Sequence, residues 1–74
     1  MMKNDLDNIR RDLNAMYPNY SFEIRHNLNS QCYLITIYRG KLAIDTMSIH
    51  ENTGVTEFWS TIRAWAKTYI QQQP

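Results

Sequence analysis

Between Cys32 and His50 the chain carries two β-favouring runs, Cys-Tyr-Leu-Ile-Thr-Ile-Tyr and Leu-Ala-Ile-Asp-Thr-Met-Ser-Ile-His, separated only by Arg39-Gly40-Lys41. So short a connection cannot cross a sheet, so the runs must be antiparallel neighbours, and Gly40 can supply the positive φ of a tight hairpin. Upstream, Tyr20-Ser-Phe-Glu-Ile-Arg-His26 alternates apolar and polar residues with period two. It reads as a half-buried strand, joined to the central run Cys32–Tyr38 through the turn-rich Asn27-Leu-Asn-Ser30.

Parity gives this meander two faces. A two-residue turn at Gly40 pairs odd residues of the second strand with even residues of the third, and a four-residue first loop pairs even residues of the first strand with odd residues of the second. Both predict an inner face of Tyr20, Phe22, Ile24, Tyr33, Ile35, Ile37, Leu42 and Ile44. The outer face is then expected to hold Ser21, Glu23 and Arg25, then Cys32, Leu34, Thr36 and Tyr38, then Ala43, Asp45, Met47 and Ile49.

A helix is predicted on each side of the meander. From Asp5 to Tyr17, Leu6, Ile9, Leu13, Met16 and Tyr17 share one stripe, with Asn4 or Asp5 as cap, Asp7 and Arg11 as an i, i+4 pair, and Pro18 as the stop. From Thr56 to Gln71, Phe58, Trp59, Ile62, Trp65, Ala66, Tyr69 and Ile70 form a second apolar stripe that also takes in Val55, with Thr53 or Thr56 as cap. The expected fold is α+β: one domain over residues 1–70, helix-strand-strand-strand-helix, both helices on the inner face, and residues 71–74 as a disordered tail. A core in a 74-residue chain supplies only about 3–5 kcal/mol, so nearly every large apolar residue is needed for folding.

Charge and cysteine content narrow the function. Eight basic and seven acidic residues leave a net charge of +1, too little to draw in nucleic acid or an anionic membrane over long range. Cys32 is the chain's one cysteine, so an internal disulfide is excluded and a reducing compartment expected. Residues 1–16 lack an apolar signal-type core, and no apolar run approaches the ~20 residues of a membrane span. A soluble cytoplasmic protein without membrane contact is expected.

Catalytic and metal sites are not expected, nor any cofactor. His26 and His50 share a parity and lie near Glu51, but the central strand would hold them about 9–10 Å apart, too far for one zinc. Cys32 falls on the opposite face from His26, which leaves a structural cysteine. Glu23 and Asp45 flank the central strand without a cleft, and neither glycine belongs to a phosphate loop. Trp59, Trp65 and Tyr69 are assigned to the core.

The outer face remains. Leu34, Tyr38, Met47 and Ile49, mixed with Glu23, Arg25 and Asp45, form the expected partner-binding patch, since aromatic residues, Met and Arg are favoured at interfaces. A second copy could cover the same sheet face as a homodimer.

The order helix, three-stranded meander, helix resembles the double-stranded RNA-binding domain. That resemblance implies phosphate contacts from a lysine run opening the last helix, where this chain reads Thr53-Gly-Val-Thr-Glu-Phe58 without a base. It also implies Gly-Pro and a histidine in the first strand loop, which here is His26-Asn-Leu-Asn-Ser-Gln31. An alternative nucleic-acid site would therefore rest on Arg10, Arg11 and Arg25. The arrangement is also similar to very small phage-encoded proteins that block host machinery by binding a protein. The leading expectation is a non-enzymatic protein-interaction module, a phage or mobile-element regulator or inhibitor, whose partner the sequence does not identify.

Overall fold

The computed structural model describes residues 3–72. The elements are α1 (Lys3–Met16), β1 (Ser21–Asn27), β2 (Cys32–Arg39), β3 (Leu42–His50) and α2 (Val55–Gln72), and the sheet order is β1-β2-β3, antiparallel throughout. This is the expected helix-strand-strand-strand-helix α+β domain. The expected tail is still helical at Gln71 and Gln72, and residues 73–74 lie outside the described residues.

One apolar cluster holds the layers together. Ile9 and Leu13 from α1, Phe22 from β1, Tyr33, Ile35 and Ile37 from β2, Ile49 from β3, and Phe58, Ile62 and Ala66 from α2 are all buried. The cluster draws on both helices and on one side of the sheet. Burying each large side chain contributes roughly 1.5–3 kcal/mol before conformational entropy is subtracted.

The helix termini follow local chemistry. The Tyr17 N–H donates to Leu13 O at 2.9 Å and the Tyr20 N–H to Tyr17 O at 3.0 Å, so Pro18 sits in the turn that leaves α1. Asp7 pairs with Arg10 at 3.6 Å rather than with Arg11, whose guanidinium lies 3.8 Å from Asp12. At the start of α2 the Phe58 N–H donates to Gly54 O at 2.9 Å, which makes Gly54, between the two expected threonines, the capping residue.

The two hairpins differ. Between β1 and β2 the register runs unbroken from Ser21↔Tyr38 to Asn27↔Cys32, as expected from a four-residue loop, here Leu28–Gln31. Asn27 Oδ1 accepts the N–H groups of Asn29 and Ser30 at 3.0 and 3.2 Å, and Gln31 closes the turn at φ 58°. Between β2 and β3, Arg39↔Leu42 and Tyr38↔Ala43 obey the expected parity, with Gly40 at φ 63° in the two-residue turn. Then the register shifts: Ile37 pairs with Asp45, and Ile44 is the extra residue of a β-bulge.

That single residue moves half of β3 to the other face. Beyond the bulge Ile35 opposes Met47 and Tyr33 opposes Ile49, so odd residues pair with odd. Asp45, Met47 and Ile49, expected on the outer face, therefore lie on the inner one: Ile49 is buried, and Met47 packs against the core beside Ile44. Leu42, expected inside, stays 69% exposed at the hairpin tip.

Candidate functional site

The outer face as built consists of Ser21, Glu23, Arg25 and Asn27 on β1, Cys32, Leu34, Thr36 and Tyr38 on β2, and Ala43, Thr46, Ser48 and His50 on β3. None of these belongs to the core cluster or packs against it. The helices leave this side of the sheet open. Leu34 and Tyr38 are half-buried along its centre line, between the edge strands.

Polar groups flank that apolar line. Arg25 Nε lies 2.9 Å from Glu23 Oε1 on β1, and the Thr36 and Thr46 hydroxyls share a 3.0 Å hydrogen bond across β2 and β3. Of the seven residues expected to form a partner-binding patch, the structure brings four together on this face: Leu34, Tyr38, Glu23 and Arg25. Its β3 side is more polar than expected, because Thr46, Ser48 and His50 replace Met47 and Ile49.

The bulge also redistributes the histidines. His26 opposes Tyr33 on the inner face and stacks on its ring, centroids 4.5 Å apart, while His26 Nε2–H donates to Glu51 Oε2 at 2.8 Å. His50 opposes Cys32 on the outer face. The two imidazoles thus leave opposite sides of the sheet, a stronger obstacle to a shared metal than the separation expected from the sequence. Among the described residues no three His, Cys, Asp or Glu side chains gather into a metal site.

Cys32 beside His50 is the thiol–imidazole juxtaposition that the parity reading missed. The Asn52 N–H donates to His50 Nδ1 at 3.1 Å, so Nδ1 is held as an acceptor and the ring proton sits on Nε2. In that tautomer neither ring nitrogen is open to take a proton from the thiol, so His50 is not placed as a general base.

The arginines of the alternative site do not converge. Arg10 and Arg11 lie on α1, in the helix layer, whereas Arg25 lies on the opposite side of the sheet, and a carboxylate stands within 4 Å of each. Phosphate recognition needs cations on one surface.

Of the three aromatics assigned to the core, Trp59 and Trp65 pack against it, whereas Tyr69 does not join it. Trp59, Trp65 and Tyr69 are half-buried, and the Trp65 Nε1–H donates to Asp45 Oδ2 at 3.0 Å. This indole bond first, and then the Tyr69 hydroxyl and the Thr46 backbone, hold the Asp45 carboxyl below its ordinary value of 3.8, against partial desolvation. Tyr69 shifts upward in return, because its hydroxyl proton is held by that carboxylate. Asp45 is therefore the clasp between β3 and α2, a structural role that only the bulge permits.

Comparison with protein-family models, curated proteins and solved structures finds no match. No helix among the described residues is long and apolar enough to cross a membrane.

Proposed function

We propose that this protein is a non-enzymatic interaction module that binds a protein partner through the open face of its sheet. The observation that carries the reading is the one-sided packing: both helices are spent on one face, and Leu34 and Tyr38 are left on the other between hydrogen-bonding and charged groups. Half-buried apolar side chains ringed by polar ones suit a protein surface, which can fill the shallow apolar line and pair with the rim. A cytoplasmic regulator or inhibitor, encoded by a phage or mobile element and acting by occupying a host factor, fits a chain this small with near-neutral charge. The test is affinity capture from host lysate with the intact protein and with Leu34→Glu and Tyr38→Glu variants. A specific protein should be retained by the wild type and lost by both variants while their thermal melts stay unchanged. Retention by folded variants would refute this face as the site.

A further inference from the structure

The solvent side of α2 carries two cations without a counter-charge. Arg10, Arg11 and Arg25 each stand within 4 Å of a carboxylate, whereas among the described residues neither Arg63 nor Lys67 takes part in a salt bridge. The positions one turn away, among them Trp59, Ser60, Ile70 and Gln71, offer no acid. Both cations also lie short of the last turn of α2, so the helix dipole does not explain them. Like charges at i, i+4 work against the helix that carries them. Arg63 is nonetheless placed: its guanidinium lies over the Trp59 ring, 5.5 Å from the centroid.

The two cations form one wall of a cleft of about 260 Å³. Ser60, Arg63, Ala64 and Lys67 bound it on α2, Met16 and Tyr17 bound it where α1 ends, and no carboxylate lines it. The α1 wall is apolar, with Met16 43% exposed. One wall thus attracts anions, and the other attracts an apolar side chain.

We infer that this cleft binds an acidic segment of a protein partner, laid in extended form with an acid-apolar-acid pattern. Side chains of an extended segment alternate in direction, and those two residues apart lie ~7 Å from each other, close to the ~6 Å that one helical turn puts between Arg63 and Lys67. Two carboxylates can therefore meet the α2 wall while the residue between them meets Met16 and Tyr17. A nucleic-acid backbone would use the cations and leave the apolar wall unfilled. The cleft lies in the helix layer, across the sheet from Leu34 and Tyr38, so it is a second site, separate from the open face.

Titrating isotope-labelled protein with the peptide acetyl-Gly-Glu-Leu-Glu-Gly-amide, followed by NMR, tests this. The Trp59 indole and the Ser60 and Ala64 amides should shift while the Trp65 indole does not, and affinity should fall as salt rises. Arg63→Glu with Lys67→Glu should weaken binding by about tenfold or more and should instead bind acetyl-Gly-Lys-Leu-Lys-Gly-amide, a gain that loss of folding cannot mimic. Leu34→Glu should leave the titration unchanged, so this site stands or falls independently of the open face. An absence of shifts at millimolar peptide would overturn the inference. Equal binding of acetyl-Gly-Glu-Ser-Glu-Gly-amide would also overturn it, because the apolar wall would then play no part. So would tighter binding of a short single-stranded oligonucleotide at the same residues, which would make phosphate the occupant.

Discussion

The two hairpins share β2, yet they use it differently. Against β1 it keeps a single register to the end of the strand, so every inward position on β1 has one inward partner. Against β3 the register breaks after two pairs, and the bulge lets both Ile44 and Asp45 serve the helix side. The first hairpin is a uniform lattice; the second uses one unpaired residue to build a contact that a uniform lattice would point outward. Strand register here is thus a local property of each pairing and is not inherited across a shared strand.

Deletions break this comparison most sharply. Removing Ile24 from β1 shifts parity within a continuous ladder and carries Phe22 out of the core; that loss, ~3–5 kcal/mol, matches the stability expected of the whole domain, so circular dichroism should show an unfolded chain. Removing Ile44 deletes the extra residue and leaves Asp45, Met47 and Ile49 facing inward. It should cost only about 2 kcal/mol, the lost burial of one side chain, with a cooperative urea transition retained. An unfolded Ile44 deletion would show that the bulge geometry itself is required.

The turns offer a smaller, symmetric test. Gly40 and Gln31 hold nearly the same left-handed φ, 63° and 58°, but only one is a glycine. A Cβ on Gly40 would meet nothing within 4 Å, so Gly40→Ala should lose about 1 kcal/mol from the backbone alone. Gln31→Gly should gain about 0.5 kcal/mol, relief of the same strain less the entropy of a glycine. Urea midpoints moving in opposite directions would confirm that the two turns share a conformation.

The smallest effect lies at the clasp. Because the Asp45 carboxyl is held low by Trp65, its contribution is present above the aspartate value of 3.8 in the unfolded chain and is lost as pH falls through the lower folded value. Asp45→Asn should flatten the acid limb of the melting temperature between pH 5 and pH 2. An unchanged acid limb would mean that other carboxylates dominate it.

These contrasts also account for how much of the fold is legible in the sequence. The elements, their order and the inner face of the first two strands follow from period-two alternation in Tyr20–His26 and β-branched density in Cys32–Tyr38. The third strand escapes this reading because parity carried from the Gly40 turn to His50 takes no account of the inserted residue at Ile44. Its signal was present: the apolar positions are even at Leu42 and Ile44 and odd at Met47 and Ile49, and only an extra residue between them reconciles the two sets. The candidate face was accordingly legible where it rests on β1 and β2, at Glu23, Arg25, Leu34 and Tyr38, and misplaced where it rested on β3.

The bulge has one more consequence, for the protein's life in a crowded solution. β1 guards its edge of the sheet with Glu23 and Arg25, but β3 runs from Leu42 to His50 with Asp45 as its one acidic or basic residue other than the terminal histidine. A straight strand of that composition would be a template for another chain's backbone and a seed for aggregation. The local twist at Ile44 bends the edge and interrupts the row of unpaired amides, so one inserted residue does for β3 what two charges do for β1.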